Sequence, residues 1–118
     1  MLFLVTFKYV EPGPIHPPDK VTKMVENAIV PSLDMVAQLE KAGKIKAAGV
    51  VAGSKGSVMI LDVADNNELS QIVQGFPFWS FMKVRVTPLQ KFGDRGAQEK
   101  KAVKFLRDLE RKGALDMW

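Results

Sequence analysis

Hydrophobic and polar positions alternate along residues 1–10. Phe3, Val5, Phe7 and Tyr9 fall on one side, and Leu2, Leu4, Thr6 and Lys8 on the other. A period of two carried by aromatic and β-branched residues predicts a strand. Residues 11–18 follow with Pro12, Pro14, Pro17 and Pro18, which fix φ and remove backbone donors, so the segment reads as a stiff, extended loop. The period then changes. Val21, Val25, Ala28, Ile29, Val36 and Leu39 recur at helical spacing behind a candidate N-cap, Asp19. Pro31 interrupts this helix and predicts a kink, or a second helix starting at Pro31 or Ser32. Gly43 is a suitable C-terminal stop.

Two further strands are expected at 44–52 and 57–63, joined as a hairpin by the turn Gly53-Ser54-Lys55-Gly56. Asp65 or Asn66 caps a short helix that ends near Gly75, with Leu69, Ile72 and Val73 on its apolar face. An aromatic connection, residues 75–82, leads to a last alternating strand at 82–89. There Met82, Val84 and Val86 oppose Lys83, Arg85 and Thr87. A final helix is expected at about 97–112, with Ala102, Phe105, Leu106 and Leu109 on one face, and Met117 and Trp118 follow it. The order strand, helix, strand, strand, helix, strand is the split βαβ, ferredoxin-like plan. It predicts an α+β subunit with a four-stranded antiparallel sheet whose central strands are the first and third. The division expected is a ferredoxin-like unit at 1–92 and a C-terminal helical extension at 93–118.

Composition narrows the chemistry. With no cysteine among 118 residues, disulfides, thiolate metal sites and thiol nucleophiles are excluded. One histidine and scattered carboxylates give no ligand spacing, so no metal is expected. The apolar start is too short for a membrane span and lacks the basic leader and cleavage site of a secretory signal, so a cytoplasmic protein is expected. The net charge is +4. Its basic excess toward the C-terminus (Arg95, Lys100, Lys101, Lys104, Arg107, Arg111, Lys112) is interleaved with acids and accompanied by no nucleic-acid-binding motif. A solvated helix face is the preferred reading, and no nucleic-acid partner is expected.

The predicted topology gathers separated segments at one end of the sheet: the end of the first strand, the 53–56 turn and the start of the last strand. His16, the Ser54-Lys55 turn and residues 76–81 belong there. So do Lys8 and Lys83, which the alternation places on one face of adjacent strands. Asp62 shares that face but sits near the other end, about 17 Å away at the strand rise, too far for a catalytic pair with Lys8. Phe76, Phe78, Trp79 and Phe81 either plug the core or wall a small-molecule pocket. In the second case Lys8 and the rings bind a flat organic acid, and His16, Lys46 or Lys83 carries a proton. Their plainer readings are a surface histidine in a loop, solvated or subunit-paired sheet cations, and simple turn residues.

Several segments resemble muconolactone isomerases: Met1-Leu2-Phe3, then Val51-Ala52-Gly53 through Ser57-Val58-Met59-Ile60-Leu61-Asp62-Val63, the Leu69 helix, and Gly75-Phe76-Pro77-Phe78-Trp79-Ser80-Phe81-Met82. The resemblance covers roughly residues 1–90. It implies a dimeric α+β barrel, with a sheet packed on a partner's sheet and larger rings of subunits. It also implies a small lactone or carboxylate substrate and cofactor-independent proton transfer. After the helix-ending glycine the chain reads Gly43-Lys44-Ile45-Lys46-Ala47-Ala48-Gly49, which keeps Lys46 but lacks the family's histidine. No catalytic residue is therefore carried over. Two alternatives stand beside the isomerase: a cofactor-free monooxygenase or cyclase of the same superfamily, and a non-catalytic ligand-binding or assembly module.

Overall fold

A computed structural model describes residues 1–10 and 18–113 of the chain. His16, Met117 and Trp118 lie outside the described residues. The elements are β1 (Leu2–Tyr9), α1 (Pro18–Met24), one π turn (Val25–Ile29), α2 (Val30–Lys41), β2 (Ile45–Val50), β3 (Gly56–Asp62), α3 (Asn66–Gly75), a 3₁₀ turn (Trp79–Phe81), β4 (Met82–Leu89) and α4 (Phe92–Arg111). The strands form one antiparallel sheet in the order β2-β3-β1-β4. This is the ferredoxin-like α+β arrangement expected from the sequence, with β1 and β3 central and an additional C-terminal helix.

The helices cover one face of the sheet because β1 and β3 put their apolar residues there. Phe3 pairs with Leu61, Val5 with Met59, and all four are buried. Ala28 from the π turn, Leu69 and Val73 from α3, and Phe76 and Phe78 from the following connection join them in one core. Local signals end the elements where the sequence places them. Gly43 takes φ of 75°, its N–H bonds to Glu40 O, and Lys44 N–H bonds to Leu39 O. This pair of bonds is a Schellman stop that a left-handed glycine permits. The Asp65 carboxylate accepts the Glu68 N–H at 2.9 Å and caps α3.

The second helix expected at Pro31 or Ser32 starts at Val30, and Pro31 lies in its first turn, while the helical run continues through the π turn before it. The chain passes through Pro31 by widening one turn: the Val30 N–H reaches back five residues to Val25 O. The wider turn accommodates a residue that has no N–H and whose ring crowds the carbonyl four positions before it. Ser32 then completes the local hydrogen bonding. Its hydroxyl, 0% exposed, donates to Ala28 O at 2.6 Å and accepts the Phe78 N–H at 3.1 Å. One buried side chain thus ties the helical layer to the aromatic connection 46 residues later.

The C-terminal helix begins at Phe92, five residues before the expected 97. Gly93 and Gly96 weaken the periodic signal there. Helix formation is supported by the Arg95 N–H bond to Lys91 O and the Arg95–Glu99 ion pair at 2.6 Å. Among the described residues α4 buries no side chain.

Replacing Ser32 by alanine strands the buried Phe78 N–H and removes one bond to Ala28 O. The expected loss is about 1–3 kcal/mol of unfolding free energy. Urea unfolding followed by circular dichroism reads it, and a midpoint equal to that of the wild type would contradict the bridging role.

Candidate functional site

The sheet presents its other face to solvent, and that face is built in rows. Register pairs Gly56, Lys8 and Lys83 across β3, β1 and β4 at one end. The next row is Gly49, Val58, Thr6 and Arg85, and the next Ala47, Ile60, Leu4 and Thr87. Asp62, Leu2 and Leu89 close the far end. Leu2, Leu4, Val58 and Ile60 make a half-buried apolar strip along the centre. Cations occupy one end of it and an acid the other. Small residues, Gly56, Gly49 and Ala47, leave the strip open toward β2.

The cationic end is the distinctive part. Lys8 and Lys83 are direct cross-strand partners, and Arg85 lies one row behind on the same face. Like charges placed opposite each other on a sheet are destabilising. Among the described residues none of the three has an acid within ion-pair distance. The arrangement is therefore a cluster of three exposed cations beside an apolar strip, complementary to a small organic anion: a carboxylate on the cations and a carbon skeleton on the strip.

The topology brings the expected segments to this end. Tyr9 N–H bonds to Lys55 O at 3.2 Å, and Val10 N–H bonds to Phe81 O at 3.0 Å. The 53–56 turn and the start of β4 thus flank the end of β1. The Lys55 ammonium lies 5.3 Å from the centre of the Tyr9 ring. The sequence reading missed this contact, because its partners come from different strands.

The four aromatic residues of the connection divide into two pairs. Phe76 and Phe78 are buried, with ring centroids 5.6 and 5.1 Å from that of Phe7 and 5.3 Å from each other. They fill the end of the core. Trp79 and Phe81 are 42% and 37% exposed, on the 3₁₀ turn immediately before Met82 and Lys83. Of the four, these two rings are available at the rim of the cationic end.

Lys46 is not brought to this end. It sits at a β-bulge between Ile45 and Ala47, with its ammonium 3.9 Å from the Asp62 carboxylate. Asp62 pairs with Leu2, six residues from Lys8 along β1, which is about 20 Å. This agrees with the expected separation of Lys8 from Asp62. The Ser57 hydroxyl opposes Phe7 on the helix-side face and is buried with no hydrogen-bond partner. Its sequence context, the first position after a glycine turn, gave no hint of this. Arg85 was legible as a member of the cationic face, but its role beside the Lys8–Lys83 pair required the register. Among the described residues no group of three or more metal-ligating side chains occurs, and no helix is long and apolar enough to cross a membrane.

Comparison with known proteins agrees with the fold. The family model described as muconolactone delta-isomerase matches residues 1–95. Muconolactone Delta-isomerase of Cupriavidus pinatubonensis is 37% identical over 54 residues, covering 46% of this chain and 59% of that protein. Muconolactone Delta-isomerase 1 of Acinetobacter lwoffii is 41% identical over 51 residues, covering 43% of this chain and 53% of that protein. The chain thus matches little more than half the length of these relatives. Among solved structures, a muconolactone isomerase superposes with a TM-score of 0.63 at 21% identity, over 77% of this chain and 90% of the other. A 5-chloro-2-hydroxyhydroquinone dehydrochlorinase from Burkholderia phenoliruptrix, in complex with 2,5-dihydroxybenzoquinone, gives 0.57 at 20% identity, over 80% and 98%. At these identities the structural matches speak for the fold alone.

Removing one of the two facing amines, with Lys83→Met, relieves the repulsion. A gain of about 0.2–1 kcal/mol is expected at low salt, shrinking as salt is added. The same variant is expected to lose the stabilisation that a small carboxylate such as benzoate gives the wild type. Thermal melts with and without benzoate check both. Identical melts for wild type and variant would remove the pair from the site.

Proposed function

Because the chain belongs to the muconolactone delta-isomerase family, we propose that it is a small-molecule isomerase. It moves a double bond in a small lactone or carboxylate by proton transfer, at the cationic end of the open sheet face. The observation that carries the reading is the Lys8–Lys83 pairing with Arg85 one row behind. Three cations with no ion-pair partner among the described residues, beside an apolar strip, suit a substrate with an anionic group and a short carbon body.

The chemistry is redox neutral. A base removes a proton from the carbon beside a carbonyl, the electron pair moves onto the carbonyl oxygen, and the resulting enolate is protonated at a more distant carbon. No atom is gained or lost overall, so the balance calls for no external oxidant or reductant. Arg85 and Lys8 hold the carboxylate and offset the charge that develops on the oxygen. Trp79 and Phe81 cover the substrate from the rim. His16, or Lys83 in its neutral amine form, carries the proton. Lys46, paired with Asp62 about six strand residues away, serves the far end of the face. A second subunit whose sheet lies over the apolar strip completes the site by excluding water from Leu2, Leu4, Val58 and Ile60, in a homodimer or a larger ring.

Muconolactone is the substrate to assay first, with the double-bond shift followed by ultraviolet absorbance and proton exchange by deuterium uptake from solvent. Arg85→Ala is expected to raise KM with little change in kcat. Loss of the proton carrier is expected to lower kcat by about 100-fold or more. Lys83→Ala and His16→Ala identify that carrier, and full turnover in His16→Ala assigns the role to Lys83. Dialysis against a chelator is expected to leave the rate unchanged. Full turnover in Lys83→Ala and His16→Ala alike would refute the proposed mechanism.

A further inference from the structure

Two helical surfaces of this chain expose apolar stripes and carry opposite charge. The first is α4. With a helical period of 3.6 residues, Ala102, Phe105, Leu106 and Leu109 form one stripe, and Phe105 is 61% exposed and Leu106 48%. Lys101 and Lys112 border this stripe on one side, and Lys100, Lys104, Arg107 and Arg111 line the opposite face. The second surface is the outer side of the helical layer. Val25, Val30 and Leu33 stand 41%, 46% and 50% exposed, with exposed Ala37 one turn further on.

The charges are complementary. Between residues 25 and 40 the chain has Glu26, Asp34 and Glu40 and no lysine or arginine, a net −3. Between residues 100 and 112 it has Lys100, Lys101, Lys104, Arg107, Arg111 and Lys112 against Asp108 and Glu110, a net +4. The shape of the molecule separates the two surfaces within one copy. The longest dimension is 73 Å and the radius of gyration 21.3 Å, against about 13.5 Å for a compact chain of this length. Helix α4, about 30 Å long, accounts for the excess, because it extends from the end of β4 without burying a side chain. A lone helix of this length gains little stability in water without a surface to pack on. The family match ends at residue 95, so this arm is an addition to the common domain.

We infer that α4 is an assembly arm that docks its Ala102–Leu109 stripe onto the Val25–Val30–Leu33 surface of a second copy of this chain. Lys101 and Lys112, which flank the stripe, reach the Asp34 and Glu40 carboxylates that border the receiving stripe. Made reciprocally, the contact occurs twice about a two-fold axis. Doubling the buried area in this way moves it toward the roughly 1,200–2,000 Å² of a specific interface.

The test uses the full chain and has two arms. In the first, light-scattering mass is measured for Leu106→Glu/Leu109→Glu and for Val30→Glu/Leu33→Glu, with circular dichroism confirming that each is folded. Both are expected to reduce the assembly mass by half or more. Asp34→Lys/Glu40→Lys is expected to do the same and to be restored by mixing with Lys101→Glu/Lys112→Glu. An unchanged mass in either apolar variant overturns the inference. In the second arm, single cysteines are introduced, which is direct because the chain has none of its own. Mixing Leu33→Cys with Leu106→Cys under mild oxidation is expected to yield a covalent heterodimer. Exclusive Leu106→Cys homodimers, which would mean arm pairing with arm, overturn the inference. So does an intramolecular disulfide in the double variant, which would mean that α4 folds back on its own copy. Isomerase turnover is not a readout here, so this inference and the proposed reaction fail independently.

Discussion

The Ser32 hydroxyl and the three rings it helps to position are the constraint on which the rest of the structure depends. By bonding at once to Ala28 O and to the Phe78 N–H, it fixes where the chain leaving α3 meets the helical layer. Phe76 and Phe78 then seat against Phe7, the last fully buried residue of β1. With both ends of that connection held, β4 enters the sheet in one register only. A slip of one residue would turn Val84 outward and Lys83 into the core. The pairing of Lys83 with Lys8 follows from packing on the opposite side of the sheet.

The two faces of the sheet are therefore used differently. The helix-side face is committed to stability, with the aromatic cluster closing one end. The open face carries Lys8, Lys83 and Arg85 at one end of an apolar strip and, at the other, Asp62 ion-paired with Lys46 and the Met1 amino group. Three cations with no acid beside them among the described residues add nothing to the fold. Binding sites commonly retain such unfavourable arrangements, and here the cost is modest because the side chains remain hydrated in the free protein.

The helical layer connects the catalytic and assembly readings. Its inner side holds Ser32 and the core, whereas its outer side carries the acid-bordered apolar stripe. The π turn at Val25–Ile29 serves both: it accommodates Pro31 and sets the angular position of the residues that follow, so that Ser32 faces inward while Val30 and Leu33 face outward.

Much of this molecule was legible in the order of its residues. Period-two and helical patterns predicted six elements in ferredoxin-like order, and the end of the sheet shared by Lys8, the 53–56 turn and the start of β4 followed from topology. Gly43 and Asp65 marked helix ends because their effects act within a few residues. The aromatic connection was legible as important but not as divided. Phe76 and Phe78 differ from Trp79 and Phe81 only in what lies across the fold, and sequence spacing does not encode that. Ser32 looked like an ordinary serine in mid-helix, since its second partner is 46 residues away. The early start of α4 was obscured by two glycines that local ion pairing overcomes. Short-range hydrogen bonding and periodicity were fixed by the sequence alone. Which rings are buried, which lysine faces which, and which apolar stripe remains uncovered were decided only when distant segments packed together.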